Sequence, residues 1–211
     1  MSSHHIIRDE QEPALFIIDP DACSLELIQQ LLGWSPTLVI VEQALDQVLA
    51  WGIKIDVVVC HETNLATVQE KTCAQLPIEI IAVEHNLVEN GLRYLYHRNH
   101  VSVHVISYFE DEQFAQNFLE KMDLIVFNQE YKAFYVAKDS WKKWVTADTL
   151  FKVLPTVPDI TLETQNLEPY QDEKISLNLH RQHTQAFRPQ QEGFIQISNT
   201  KHPFWVFEKI K

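Results

Sequence analysis

Residues 51–65 read WGIKIDVVVCHETNL. From Asp56 to Cys60 the run is apolar and β-branched after its first residue, the composition of a strand covered on both faces. It passes directly into the polar loop His61-Glu62-Thr63-Asn64. Beyond the carboxyl end of a buried parallel strand is where α/β proteins place ligands and chemistry. Just upstream, in QALDQVLAWGI, Leu45, Val48 and Leu49 share one helical stripe and Gly52 stops the helix. A helix, a tight turn and a buried strand in 20-odd residues are the repeating unit of an α/β fold.

Outward from this stretch the pattern repeats. Apolar runs at residues 15–19, 37–42, 56–60, 79–84, 101–107 and 123–128 predict strands. The intervening segments SLELIQQLLGW, NLATVQEKTCAQL, NLVENGLRYLYHR and DEQFAQNFLEKM predict helices. Residues 1–129 are thus expected to form a doubly wound, mostly parallel α/β domain, a binding or enzyme domain whose chemistry the pattern alone leaves open. From residue 130 the period shortens. YKAFYVA, WKKWVTA, DITLETQ, KISLNLH, GFIQIS and FWVFEKI alternate over short spans, predicting a small antiparallel β-sandwich or barrel over residues 130–211. Trp141 and Trp144 are expected to pack this second domain or a dimer seam, and His97, His100 and His104 to lie on the surface.

The chain has 211 residues, with 17 basic against 29 acidic side chains and a net charge of −12. Such a surface repels nucleic acid and anionic membrane, so neither is expected as a partner. No apolar run approaches the ~20 residues of a membrane helix. The first residues, MSSHHIIRDEQEPALFIID, carry acids where a signal peptide needs a basic stretch and an apolar one. Three cysteines, Cys23, Cys60 and Cys73, form no disulfide framework or zinc knuckle. A reduced, cytoplasmic compartment is expected.

The expected strand ends bring together Asp19, Glu42, His61-Glu62, Glu84-His85, Ser107 and Asn128. Glu42, His61, Glu62, Glu84 and His85 are ligand types that a divalent metal accepts. A phosphate cradle is missing. The four glycines, Gly33, Gly52, Gly91 and Gly193, form neither GxGxxG nor a P-loop. No GxSxG elbow is present either.

Glu42–Leu65, EQALDQVLAWGIKIDVVVCHETNL, resembles the thiamine pyrophosphokinase family. In that family Asp-Gly-Gly-Ala-Asn opens a helix, and a Gly-Ile-Lys-Pro-Asp turn, a strand and Gly-Asp-x-Asp-Ser follow. Gly52-Ile53-Lys54-Ile55-Asp56 matches the turn, with isoleucine for proline. Near the carboxyl terminus, in IQISNTKHPFW, Ser198-Asn199 resemble the family's Ser-Asn pair at the thiamine pocket, and Trp205 an aromatic near the pyrimidine. The resemblance implies an α/β domain followed by a β domain, a homodimer with pockets built from both subunits, and ATP-dependent pyrophosphoryl transfer to thiamine with magnesium. It further implies cofactor contacts from His61, Thr63, Asn64 and Ser107, and substrate contacts from Ser198, Asn199 and Trp205.

The departures fall on the chemistry. Glu42-Gln43-Ala44 replace Asp-Gly-Gly, and Cys60-His61-Glu62-Thr63-Asn64 replace Gly-Asp-x-Asp-Ser. EHNLVE (residues 84–89) stands for Asp-x-Thr-Asp, and YFEDEQF (residues 108–114) for Gly-Gly-Arg-x-Asp-His. Pyrophosphoryl transfer depends on magnesium and cationic donors that neutralise charge developing on the phosphates. One lost donor of that kind costs roughly 3–4 kcal/mol. The leading expectation is a family member with transfer activity weakened or lost, acting as a binding module for a thiamine-like or nucleotide-like small molecule. Two alternatives stand beside it. One is an active divergent enzyme in which Glu42, Glu62 and Glu84 hold magnesium with ATP. The other is a metal-dependent enzyme of changed chemistry using His61 and His85.

Overall fold

The computed structural model describes residues 12–108, 117–137, 140–157, 161–170, 184–199 and 201–210. The chain divides into two compact units, Met1–Gln129 and Glu130–Lys211.

In the first unit the apolar runs become parallel strands: β1 (Ala14–Ile17), β2 (Leu38–Val41), β3 (Val57–His61), β4 (Glu79–Val83), β5 (Ser102–Ile106) and β6 (Asp123–Phe127). Every pairing is parallel, in the order β6-β5-β1-β2-β3-β4. β1 and β2 are buried at every residue, as central strands covered on both faces must be. Among the described residues four helices connect them: α1 (Leu25–Leu32), α2 (Leu45–Ala50), α3 (Leu65–Thr72) and α4 (Leu87–His97). Ser24 caps α1, its Oγ accepting the Leu27 N–H at 3.3 Å. The doubly wound, mostly parallel sheet expected from the sequence is the one observed.

The turn that the family resemblance rests on has a structural explanation at three of its five positions, Gly52, Lys54 and Asp56. Gly52 ends α2 with φ at +70°, in the left-handed region that disfavours a side chain. The Lys54 ammonium donates to the carbonyls of Ile55 at 3.0 Å and Pro77 at 2.6 Å, and to that of Gln75. Asp56 Oδ2 accepts the Leu38 N–H at 2.8 Å, joining the entry of β3 to the start of β2. These residues build the crossover.

In the second unit the short alternating segments form two antiparallel sheets. The larger has the order β11-β12-β9-β14-β7, from β7 (Tyr131–Val136), β9 (Phe151–Pro155), β11 (Leu167–Pro169), β12 (Gln185–Pro189) and β14 (Phe204–Lys209). The smaller is β10-β13-β8, from β8 (Ser140–Val145), β10 (Glu163–Gln165) and β13 (Gly193–Ser198). Inward residues of both sheets, among them Phe151, Phe187, Phe204, Ile195 and Ile197, share one core. The unit is therefore a sandwich rather than a barrel.

Several local expectations are corrected. β9, β11 and β12 were not anticipated. In β9 a lysine interrupts the apolar run, yet Lys152 is 4% exposed, its ammonium 5.1 Å from the Tyr131 ring centroid. The segment DITLETQ narrows to Glu163–Gln165, and KISLNLH lies outside the described residues. Of the expected helix at residues 111–122, residues 117–121 form turns and 111–116 lie outside the described residues. His100 is buried, not on the surface. Trp141 packs the sandwich core, as expected, at 5.4 Å from Phe134 and 5.7 Å from Phe151, and Trp144 is 49% exposed in the single chain.

Candidate functional site

The direction of the chain sets where a ligand would bind in the first unit. From β1 the strands run outward to β4 on one side, and β5 and β6 lie on the other. The order therefore reverses between β1 and β5, and the crevice of such a sheet opens at their carboxyl ends. Four residues, Asp21, Gln47, Tyr108 and Gln129, are hydrogen-bonded together there. Asp19 Oδ1 accepts the Asp21 N–H at 3.0 Å, capping a single 3-10 turn over Pro20–Ala22. The Asp21 carbonyl accepts from the Tyr108 hydroxyl and from Gln129 Nε2, each at 3.0 Å. Gln47 Nε2 donates to Asp21 Oδ1 at 2.8 Å. Ser107, expected as a cofactor contact, is 8% exposed and donates to the Tyr108 carbonyl at 3.1 Å. Asp21, Gln47, Tyr108 and Gln129 were absent from the sequence reading; the Asp-Pro-Asp turn after β1 was the available signal.

Along the same rim, β2, β3 and β4 deliver the acids and imidazoles. Glu42 opens a 3-10 turn directly after β2, and its side chain is 10% exposed. Its Oε2 accepts the His61 backbone N–H at 3.0 Å, and its Oε1 accepts from Asn64 Nδ2 at 3.0 Å. His61 ends β3; its Nδ1 lies 3.1 Å from the Glu84 carbonyl, which can only accept, so Nδ1 carries a proton. The other ring nitrogen, Nε2, stands 4.0 Å from Glu42 Oε1. Glu84 and His85 follow β4, are both largely exposed, and approach each other at 3.6 Å. Glu62, Thr63 and Asn64 form an exposed 3-10 turn. Beneath the rim Cys60 is buried; burial first, and the Glu42 charge second, raise its thiol above the ordinary range.

The five residues expected as metal ligands thus fall into two pairs, Glu42 with His61 and Glu84 with His85, while Glu62 faces solvent. Among the described residues no three of His, Cys, Asp or Glu are grouped to hold a metal ion. Magnesium needs several oxygens turned to one point in an octahedron, and both Glu42 oxygens are turned instead to N–H donors. The residues present do not fit a magnesium ion.

The electrostatics point the same way. The rim carries Asp19, Asp21, Glu42, Glu62 and Glu84, and among its described residues no Lys or Arg. Residues 1–129 hold 19 acidic and 6 basic side chains; residues 130–211 hold 10 and 11. The negative charge of the chain is concentrated in the first unit.

In the sandwich, Ser198 ends β13 and its Oγ lies 3.4 Å from the Glu163 carbonyl. Asn199 holds the following turn: Nδ2 donates to the Thr161 carbonyl at 2.9 Å, and Oδ1 accepts from the N–H groups of Lys201 and His202 at 2.8 and 2.9 Å. Trp205, expected near the substrate, is 2% exposed in β14 and packs edge-on to Tyr135 at 5.2 Å. Its position is that of a core residue.

A parallel α/β unit followed by an antiparallel sandwich is the fold of solved thiamin pyrophosphokinases, and the described residues have that fold. Solved thiamin pyrophosphokinases superpose on it at near-full length. That of Geobacillus thermodenitrificans matches with a TM-score of 0.70 at 9% identity, over 94% of this chain and 98% of that one. That of Bacillus subtilis gives 0.66 at 11%, over 94% and 99%, and the yeast protein 0.60 at 12%, over 98% and 88%. Identities of this order show the fold alone. No model of a known protein family matches the sequence, and no curated protein does.

Proposed function

We propose that this chain is a thiamine pyrophosphokinase-like binding protein in which pyrophosphoryl transfer is weakened to the point of loss. The observation that carries this reading is the rim: five carboxylates and, among its described residues, no Lys or Arg. A triphosphate brought there meets like charge, and no cationic donor stabilises charge developing on the transferred group. A cation meets the opposite field. Thiamine carries a permanent positive charge on its thiazolium ring, so the same carboxylates that repel ATP attract it. In this reading Glu62 and Glu84 supply the field, with His61, Thr63, Asn64 and Ser107 beside the ligand. Ser198 and Asn199 belong to the substrate side in a homodimer. Unpaired cysteines fit a reduced, cytoplasmic setting, and among the described residues no helix is long and apolar enough to cross a membrane.

Thermal shift and calorimetry with thiamine, and separately with ATP and magnesium, test the reading. Thiamine at about 100 times its dissociation constant should stabilise the chain by about 2.7 kcal/mol, with no comparable effect of ATP. Formation of AMP from ATP and thiamine at a rate ordinary for an enzyme would return the chain to the active class.

A further inference from the structure

We infer that Glu42 is a fixed internal anion, a clasp that joins the carboxyl ends of β2, β3 and β4, and that the rim consequently takes no divalent cation. The inference rests on the reading just given and says how the rim is held together without a metal. Its basis is connectivity. Glu42 leaves β2 and gives one oxygen to the backbone N–H of His61, the last residue of β3, and the other to the Asn64 amide three residues on. The His61 ring continues the chain to the Glu84 carbonyl beyond β4. Three neighbouring strand ends are therefore tied by one carboxylate and one imidazole.

A bound cation would demand the reverse arrangement, with oxygens converging and hydrogens turned away. Around Glu42 the hydrogens of Asn64 and of the His61 backbone point at the carboxylate itself. A carboxylate that is 10% exposed has little remaining surface from which to reach a hydrated ion. Glu62 and Glu84 extend into solvent, and among the described residues no three metal-ligating side chains are grouped. The clasp also gives a reason for the length of the side chain. Here the acid must cross from the end of β2 to the turn after β3, and glutamate is one methylene longer than aspartate.

The full chain is titrated into Mn2+ with the free ion followed by electron paramagnetic resonance, and amide exchange is followed at His61. The Mn2+ signal should stay undiminished at about 1 mM protein and be unaffected by Glu42→Gln. Protection of the His61 amide should fall about tenfold or more in Glu42→Ala and recover in part in Glu42→Gln, whose remaining carbonyl can still accept. Should Glu42→Ala fail to fold, Asn64→Ala removes one arm of the clasp and should lower the same protection to a smaller degree. Capture of Mn2+ that Glu42→Gln abolishes would overturn the inference, as would His61 protection indifferent to these variants. The thiamine and ATP titrations are independent of both readouts, so the binding reading and the clasp fail separately.

Discussion

Gly91 of α4 lies flat against the ring of Phe16 in β1: a Cβ built on it would stand 2.4 Å from Phe16 Cζ and 2.9 Å from Cε1. Phe16 is fully buried at the centre of the sheet, so neither partner can retreat into solvent. Alanine favours a helix over glycine by about 1 kcal/mol, yet Gly91→Ala should destabilise the chain by about 1–3 kcal/mol, because overpacking dominates. Adding Phe16→Leu should return part of that loss. Urea denaturation of the two single variants and the double variant measures the coupling, and simple additivity would refute the contact.

Lys54 should matter to stability more than an exposed lysine ordinarily does. Its ammonium satisfies carbonyls of Ile55, Gln75 and Pro77, on both sides of β3 and ahead of β4. Lys54→Met keeps the stem and removes the donors. A loss of about 1–3 kcal/mol in urea is expected; a change below about 0.5 kcal/mol, the surface norm, would show these bonds to be dispensable.

The cysteines should separate by reactivity. Burial pushes the Cys23 thiol up to about 12 and raises that of Cys60, whereas Cys73 is exposed. At about pH 8 a thiol reagent should therefore titrate Cys73 in the native chain and all three cysteines in denaturant, and Cys73→Ser should abolish the native reaction. The same shift sets a pH dependence. An unfolded cysteine ionises near 8.5 while folded Cys23 keeps its proton to about 12, so the folded state holds more protons in that window. Its contribution is complete below about pH 8.5 and is lost as pH rises toward 12.

Trp205 and Trp144 offer a contrast within the sandwich. Trp205→Ala removes a ring that is 2% exposed and should cost about 3–5 kcal/mol. Trp144→Ala, at a position 49% exposed opposite Phe194, should cost about 1 kcal/mol or less. Equal costs in thermal and urea unfolding of the full chain would contradict the core placement of Trp205.

The six strands of the first unit were legible because all but β5, where His104 interrupts the pattern, are continuous apolar runs bounded by polar residues, and their ends were placed within about two residues. The sandwich was legible only where its strands alternate. Phe151–Pro155 was missed because Lys152 sits inside it, and a lysine whose ammonium lies over the Tyr131 ring cannot be told from a solvated one by pattern. At the rim the residue types were readable and the partners were not. Glu42, Glu62 and Glu84 look alike in sequence, yet the structure spends the first on His61 and Asn64 and leaves the other two in solvent.

By itself the order of residues determined the alternation of strand and helix, the change to short antiparallel segments after residue 129, and a rim without glycine cradle or cation. Those are local properties, set by side-chain period, backbone freedom and charge, and they survive without knowledge of neighbours. Only the tertiary structure decided that β1 lies between β2 and β5, which puts the crevice beside Asp21 and Tyr108. It alone decided that Glu42 faces inward and that Trp205 is core. Lateral strand order and side-chain partnership depend on how distant segments bury their apolar faces together, and no period within a segment encodes its neighbour.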